Sequence, residues 1–331
     1  MTPTGTTPRG TRAGTGPGPT LGRVAELNPA QREVLEALRA PERPRPRYEP
    51  GLRDELRDHL EGELAPLAAL LDRPAFVSKR ALADVLACEA HHLAQAAADF
   101  EWNVAVARGV VVHRAIQLGV FRRDAPAPLE LVDDALERLA GDPDATVADY
   151  LLALPEAERA ELRSAASDVV SAFVELWPPL PRRWVPRTET PLRAELCGGT
   201  VVLGGRVDLS LGAPDGEQAG RVLVDLKTGA PAPGHLHDLR FYALLETLRC
   251  GVPPLRLASS YLEEGRLAVE EVDEDVLEAA VRRTVQGVRA VLELRLGLRS
   301  PAVTPNPACR WCPAREGCEG AARWEEVRLA S

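Results

Sequence analysis

The chain has 331 residues, of which 45% are hydrophobic and 27% are charged, and its formal net charge is −9. This composition is typical of a soluble globular protein, and the negative charge argues against a protein that coats nucleic acid by bulk electrostatics, although not against an enzyme with a local basic groove. We find no apolar run of membrane-spanning length and no secretory leader, so we expect a cytoplasmic protein without a membrane partner.

The first half of the chain is predicted to be helical after a disordered arm. Residues 1–22 are mostly Thr, Gly, Pro and Arg, a composition that cannot build a packed core. Residues 23–77 are predicted as a helical extension, since leucines recur at helical spacing there. Ser78 is the expected N-cap of an Ala- and Leu-rich helix that carries Cys88.

The helical pattern continues to about residue 180. Residues 109–118, with the sequence GVVVHRAIQL, are predicted as a helix with His113 on its buried side. Further helices follow because Ala, Leu and Glu predominate, and Pro178 and Pro179 stop the last of them.

From Trp184 onward the pattern changes to strands. The predicted elements are strands at 192–196, 200–211 and 221–226, a helix at 235–248, a second hairpin at 255–262 and 266–272, and a helix capped by Asp273 that ends near 298. We therefore expect a sheet core over residues 184–298, a cysteine-rich segment over 305–318 and a tail over 319–331.

Two carboxylates and a lysine mark the hairpin between Gly204 and Gly229. Asp208 lies within the first strand, Asp225 lies near the end of the second, and Lys227 follows two residues later on the same face. Buried carboxylates are costly unless positive charge satisfies them, which a divalent cation would do. Lys227 is also one of two lysines among 40 basic residues, which indicates a need for a compact ammonium group. An ordinary ion pair at the strand end explains the hairpin equally well.

The C-terminal segment predicts a metal centre. Three closely spaced cysteines form a C-x2-C-x5-C pattern: Cys309, Cys312 and Cys318. Three thiolates leave one ligand position open, and Cys88 is the best candidate for it because it is isolated on its helix. Cys197 and Cys250 are expected to be small core residues, an interpretation that also remains open for Cys88.

Four motifs, in this order, resemble those of RecB-like nucleases of the PD-(D/E)XK superfamily. They read Gly109-Val-Val-Val-His113, Gly205-Arg-Val-Asp208, Asp225-Leu-Lys227-Thr-Gly229 and Asp238-Leu-Arg-Phe-Tyr242. The split cysteine pattern resembles the iron–sulfur branch of that group, which includes AddB-type nuclease domains and CRISPR-associated exonucleases. The resemblance covers about residues 78–318. It implies an α/β restriction-endonuclease-like core, a mixed sheet flanked by helices, with a helical N-terminal half and a C-terminal cysteine clasp.

The resemblance also implies roles for individual residues. The ligands of Mg2+ or Mn2+ would be His113, Asp208, Asp225 and the backbone carbonyl of Leu226. Asp208, Asp225 and Lys227 would be catalytic, with the lysine steadying the attacking water or the charge that develops on the phosphorus centre. Tyr242 would contact the DNA backbone or support the site. Apart from the resemblance, Arg206 and Arg240 are candidates for a basic groove that contacts DNA, and an ordinary surface position is the alternative for each because arginine is so common in this chain. A [4Fe–4S] cluster would be held by Cys88, Cys309, Cys312 and Cys318, and structural Zn2+ is the alternative.

One residue departs from the family pattern. Four residues before the helix tyrosine the family usually has glutamine, whereas this chain has Asp238, which could add a metal ligand or repel phosphate. An active enzyme remains the favoured interpretation, because the three principal motifs are intact.

These features together predict a metal-dependent deoxyribonuclease. It would be a hydrolase of phosphodiester bonds, exonucleolytic on single-stranded or frayed DNA ends, in repair, recombination or CRISPR adaptation. The alternative is a catalytically inactive DNA-binding or assembly subunit of a nuclease–helicase complex. The sequence has no Walker-type phosphate loop, so we expect no nucleotide cofactor, and a separate helicase or recombination or CRISPR subunit would be the partner on long duplexes.

Overall fold

The computed structural model of the chain describes residues 27–39, 44–122, 126–232 and 234–330. Within these residues a six-stranded mixed β-sheet is flanked by helices on both faces, which is the predicted fold class. The arm predicted at residues 1–22 lies outside the described residues.

The strands and helices have the following bounds. The strands are β1 (Ala75–Ser78), β2 (Arg187–Leu196), β3 (Val201–Leu211), β4 (Val222–Lys227), β5 (Arg256–Tyr261) and β6 (Arg266–Glu271). The helices are α1 (Pro29–Leu38), α2 (Leu52–Ala68), α3 (Lys79–Ala87), α4 (Glu89–Ala97), α5 (Val104–Phe121), α6 (Pro128–Ala140), α7 (Ala148–Ala153), α8 (Glu156–Leu176), α9 (Gly234–Cys250), α10 (Glu274–Arg295) and α11 (Glu319–Ala330).

The sheet has the strand order β1-β3-β4-β5-β6, and β2 pairs with β3 outside this path. β3 and β4 are antiparallel, as are β5 and β6, so both predicted hairpins are confirmed. β4 and β5 are parallel, and α9 makes the crossover that a parallel pair requires. The β3–β4 hairpin, which carries Asp208 and Asp225, is therefore at the centre of the sheet.

Each face of the sheet has its own hydrophobic core. The first core joins the sheet to α2, α3, α9 and α10, and the second joins it to α1, α5, α6, α7 and α8. Val207 packs in the first core and Leu209 packs in the second, although residues two apart share a face in a regular strand. The change from one core to the other falls at Asp208, opposite the unpaired Glu189 of β2, so groups from both layers can meet there.

Helix α5 corrects one expectation from the sequence. Its 18 residues, with a mean hydropathy of 1.4, are long and apolar enough to cross a membrane by length and composition alone. The expectation that no apolar run reaches that length was therefore wrong. The helix packs against α6 and α8 and carries His113 at its centre, so its apolar character is used in the second core.

Three other local predictions differ from the structure. Strand β1 was not predicted, because four residues carry too little pattern to be recognised. The single helix predicted after Ser78 is broken into α3 and α4 at Cys88, whose backbone is extended with a φ of −165°. The segment predicted as a tail contains the helix α11. Ser78 is confirmed as an N-cap, since its hydroxyl accepts a hydrogen bond from the backbone N–H of Ala81.

Candidate functional site

The candidate site lies in a notch along one edge of β3. β1 pairs with residues 201–204 of β3, and β4 pairs with residues 209–211. β2 occupies the opposite edge along almost the whole length of β3. Residues 205–208 are therefore left without a strand partner on the notch side, and their polar groups are open to side chains from the surrounding helices.

Asp208 and Asp225 face each other where the β3–β4 ladder stops. The last paired residues are Leu209 and Val224, so the two aspartates occupy the next position on each strand. The Asp208 carboxylate accepts a hydrogen bond of 2.7 Å from the backbone N–H of Leu226. This contact satisfies a backbone donor that the ladder no longer pairs, and it fixes the orientation of the carboxylate.

Asp208 also belongs to a group of three possible metal ligands. Its Oδ1 lies 3.4 Å from Nδ1 of His113, and the same nitrogen lies 3.4 Å from Oε1 of Glu189. One ligand atom from each of the three residues lies within 4.8 Å of the others. A partly buried set of one imidazole and two carboxylates suits a divalent cation such as Mg2+ or Mn2+.

Glu189 is the member of this group that the sequence did not predict. It lies on β2 between Thr188 and Thr190, both of which pair with β3 while Glu189 does not. Its φ is +50°. A non-glycine residue with positive φ is uncommon and strained, and such residues cluster at functional sites. The turn of the backbone directs the Glu189 side chain to His113. No sequence pattern singled out Glu189, because an isolated acidic residue before a strand is ordinary.

The two carboxylates keep His113 protonated in the absence of a cation. Burial alone would lower the pKa of the imidazole, but the Asp208 and Glu189 carboxylates outweigh it and raise the pKa from 6.5 to about 10. A cation bound by these residues would replace that proton.

Asp225 lies between the two lysines of the chain. Its carboxylate is almost completely buried, and Nζ of Lys227 lies 2.6 Å from Oδ2. Nζ of Lys79, the first residue of α3, donates a hydrogen bond of 3.1 Å to Oδ1. Burial alone would raise the pKa of Asp225, but the two ammonium groups hold it below its usual value. Lys79 was noted in the sequence as the second lysine, but nothing there placed it at this site.

One oxygen of Asp225 retains capacity for a further partner. Oδ2 is buried and, despite the nearby Lys227 ammonium, makes no hydrogen bond of good geometry within the described residues. The Lys227 ammonium already balances the charge of this oxygen, and a carboxylate oxygen has a further lone pair with which it can bind a metal ion. Asp225 lies across the ladder end from Asp208 but is not one of the three grouped donors, so its role as a metal ligand stays an implication of the resemblance.

Tyr242 closes the floor of the notch. A Cβ atom on Gly205 would lie 2.4 Å from the Tyr242 ring, so the missing side chain allows the ring to pack against β3. The Tyr242 hydroxyl accepts a hydrogen bond of 3.4 Å from the backbone N–H of Arg206, and the Lys79 ammonium lies 5.0 Å from the ring centroid. Tyr242 is 2% exposed, so it supports the site from below.

The two arginines proposed for a basic groove have different surroundings. The Arg206 side chain is 67% exposed and its guanidinium lies 3.7 Å from Glu189. The Arg240 guanidinium donates two hydrogen bonds to Glu270 and is only 22% exposed. Arg206 is therefore free to reach an anionic substrate, whereas Arg240 is held by its carboxylate.

The four cysteines of the proposed cluster come together from both ends of the domain. Cys88 and Cys309 are buried, and the Cys88 sulfur accepts a hydrogen bond from the backbone N–H of Thr304. Burial raises the pKa of the Cys312 thiol, and the nearby thiols of Cys309, Cys318 and Cys88 raise it further. All four are free thiols. Cys88 lies at the break between α3 and α4, not within a helix as predicted, and the break turns it toward the C-terminal segment.

Comparison with known proteins places the chain in context. A family model described as the PD-(D/E)XK nuclease superfamily matches residues 77–319. No curated protein gives a significant match. Among solved structures, the chain is similar to a presumed exonuclease from Eubacterium rectale, with a TM-score of 0.47 and 13% identity over 71% of this chain and 87% of that one. It is also similar to the protein SSO0001, with a TM-score of 0.31 and 13% identity over 80% of this chain and 95% of that one. Neither similarity is close enough to assign an activity.

Proposed function

The chain belongs to the PD-(D/E)XK nuclease superfamily, and on that premise we propose that it is a metal-dependent deoxyribonuclease. The observation that carries the proposal is the meeting of His113, Glu189 and Asp208 beside Asp225 and its lysines. A phosphodiester is anionic, so its hydrolysis needs positive charge at the phosphate and an activated water. This site offers both requirements in one notch.

The residues of the site divide the chemistry between them. His113, Glu189, Asp208 and Asp225 would hold Mg2+ or Mn2+, which would neutralise phosphate charge and lower the pKa of a bound water. The Leu226 backbone would help through its N–H, which orients Asp208, and through the carbonyl that the resemblance implies as a ligand. Lys227 would orient the attacking water or stabilise the charge that develops in the transition state. Its compact ammonium suits that task better than a planar guanidinium.

We propose that the substrate is single-stranded or frayed DNA, cleaved from an end. This substrate is the one that the resemblance implies, and the notch is bounded by β1, β2 and β4 on three sides. The exposed Arg206 at its rim would contact the strand's phosphates. Repair, recombination and CRISPR adaptation all produce such ends, and a separate helicase would supply single strands from long duplexes.

Digestion of end-labelled oligonucleotides tests this function. Purified protein with Mg2+ or Mn2+ is expected to degrade linear single-stranded DNA, with each end blocked in turn to give the polarity. Asp225→Asn and Lys227→Met are expected to lower the rate at least about 100-fold, as the loss of a catalytic group or charge stabiliser does. Asp215→Asn, which changes an exposed carboxylate in the β3–β4 turn, is the matched control and should cleave at the normal rate.

Two results would contradict the assignment. Equal cleavage by Asp225→Asn and the parent protein would show that the active site lies elsewhere. DNA binding without any metal-dependent cleavage would instead favour the inactive assembly subunit.

We also propose that the chain belongs to the iron–sulfur branch, with a [4Fe–4S] cluster on Cys88, Cys309, Cys312 and Cys318. The thiols of Cys309, Cys318 and Cys88 all lie near enough to Cys312 to raise its pKa, which supports one shared metal centre. The split arrangement of the cysteines, which resembles the iron–sulfur branch, favours the cluster over zinc. Anaerobically purified protein is expected to be brown with broad visible absorption and about four iron atoms per chain. A colourless protein with stoichiometric zinc would overturn this assignment.

A further inference from the structure

The two lysines of the chain meet at a second carboxylate, Asp238. Its Oδ2 lies 3.5 Å from Nζ of Lys79 and 3.5 Å from Nζ of Lys227. Both ammonium groups also contact Asp225, one at each carboxylate oxygen. The four side chains form a closed set of two cations and two anions, supplied by α3, β4 and α9.

The position of Asp238 separates it from the metal-binding group. In the described part of the chain, the ion pairs of Asp238 are made with Lys79 and Lys227, and it is not among the donors gathered around His113. Asp238 therefore neither adds a ligand to that group nor stands as an unpaired anion in the path of phosphate. Its charge is balanced within the site.

Lys79 is the more accessible of the two ammonium groups. Its side chain is 27% exposed, against 17% for Lys227 and 3% for Asp225. An ammonium group has three N–H donors. Two of those of Lys79 can be directed to Asp225 and Asp238, and the ring of Tyr242 lies beneath it at 5.0 Å. One donor remains for a group that enters from solvent.

We propose that Lys79 is a second phosphate-binding cation of the site and that Asp238 is the positioning residue that holds it there. The inference rests on the proposed nuclease function and names a contact to the substrate. When a cation shares the charge of Asp225, Asp238 becomes the main anionic partner of both lysines. Two ammonium groups then face one carboxylate, and the surplus positive charge is available to a phosphodiester.

The alternative is that Lys79 only compensates the buried charge of Asp225. Both alternatives predict some loss of stability when Lys79 is removed, so stability does not separate them. A phosphate contact also changes the salt dependence of DNA binding, because each neutralised phosphate releases counterions, whereas an internal ion pair leaves that dependence unchanged.

The test measures binding and cleavage separately. Binding of a fluorescein-labelled single-stranded oligonucleotide is followed by anisotropy over a KCl series with Ca2+ in place of Mg2+, so that a cation shares the charge of Asp225, and a parallel digestion checks that the oligonucleotide stays intact. Lys79→Met is expected to weaken binding and to reduce the slope of log Kobs against log salt by about 0.7. Arg80→Met, which removes an exposed cation at the adjacent position, should keep the slope of the parent protein. An equal reduction in Arg80→Met would overturn the proposal, since the slope would then report general surface charge.

Steady-state cleavage with Mg2+ tests the positioning role. Asp238→Asn should lower kcat about tenfold without raising KM, because the phosphate-binding charge remains but is no longer held in place. Lys79→Met should raise KM as well as lower kcat, and the double variant should be no worse than Lys79→Met. Lys79→Arg keeps the positive charge, so the salt dependence of its DNA binding should match that of the parent protein while its kcat falls. This variant replaces Lys79→Met in the test if Lys79→Met does not fold.

The two proposals fail in different ways. A parent protein that neither binds nor cleaves the oligonucleotide would remove the nuclease function and this inference with it. A parent protein that cleaves, together with an unchanged salt slope and KM in Lys79→Met, would overturn only the role of Lys79.

Discussion

At the scale of single residues, Gly205 controls how closely α9 approaches the sheet. The Tyr242 ring occupies the space that a Cβ atom on Gly205 would fill, and Lys79 packs over the other side of that ring. The missing side chain on β3 therefore positions a lysine that belongs to α3. A substitution at Gly205 that displaces the Tyr242 ring would therefore also displace the Lys79 ammonium.

Gly205→Ala is expected to destabilise the protein by about 1–3 kcal/mol, the usual cost of forcing extra volume into a packed core, and to lower cleavage. Urea unfolding and oligonucleotide digestion measure the two effects. Gly204→Ala is the matched control. Its Cβ would meet the ring of Phe76 at 2.6 Å, but Phe76 is 61% exposed and can rotate away. If both variants lose equal stability, ring displacement at Tyr242 is not the cause.

His113 makes the stability of the metal-free protein depend on pH. Its pKa is raised from 6.5 to about 10 in the folded state, so the folded protein binds a proton that the unfolded chain releases. The resulting stabilisation is complete below about pH 6.5, declines above it and is lost as the pH passes through about 10.

The free energy of unfolding in EDTA should therefore fall between pH 7 and pH 10 by more in the parent protein than in His113→Gln. Denaturant titrations at several pH values check this expectation. His59→Gln, at an exposed position on α2, should follow the parent protein. Identical pH profiles for the parent and His113→Gln would mean that the imidazole is not held protonated by Asp208 and Glu189.

The site residues that were predicted from the sequence and those that were missed differ in whether a local sequence pattern brings them together. Asp208, Asp225 and Lys227 lie on adjacent strands of one hairpin, so period-two alternation alone places them near one another. Lys79 reaches the same site through the pairing of β1 with β3, across a long sequence separation. Glu189 lies on the strand just before β3, and its positive φ directs its side chain to the site. Neither long-range pairing nor local strain leaves a readable pattern in a single sequence.

At the scale of elements, the break between α3 and α4 has the clearest functional meaning. The Ala- and Leu-rich composition of this stretch favours one continuous helix, which was the prediction. The backbone is instead extended at Cys88, and its sulfur accepts a hydrogen bond from the connector before Cys309. Tertiary contacts with the C-terminal segment override the local helix propensity there.

If the four cysteines hold a cluster, Cys88→Ser should lower the iron content and the visible absorption and should reduce the melting temperature. Cys197→Ser, which changes a half-buried cysteine outside the proposed cluster, is the matched control and should retain the iron. Iron analysis and thermal melting under anaerobic conditions measure both quantities. Full iron content in Cys88→Ser would exclude this residue as a ligand.

At the scale of the whole molecule, the fold class was predictable and the assembly of the sheet was not. The hairpins β3–β4 and β5–β6 and the long capped helix α10 follow from local alternation and from Asp273, whose side chain accepts a hydrogen bond from Val276. The notch arises because β1 and β4 share one edge of β3. That arrangement depends on a four-residue strand too short to recognise.

Metal binding should stabilise the entire domain, because the proposed ligands come from α5, β2, β3 and β4 and are together only in the folded chain. Mn2+ at 100 times its Kd is expected to add about 2.7 kcal/mol to the free energy of unfolding. Calorimetry with and without Mn2+ measures the effect. Asp208→Asn should lose it and Asp215→Asn should keep it. An equal shift in both variants would place the bound cation elsewhere.

The pairing of β1 with β3 also determines when the site can first exist during synthesis. Lys79 leaves the ribosome about 150 residues before Lys227, which at about 5–20 residues per second is an interval of roughly 7–30 s. Throughout that interval α3 and α5 carry Lys79 and His113 without the strands that complete their surroundings. On the proposed function, a nascent chain therefore cannot cleave DNA until β4 has emerged.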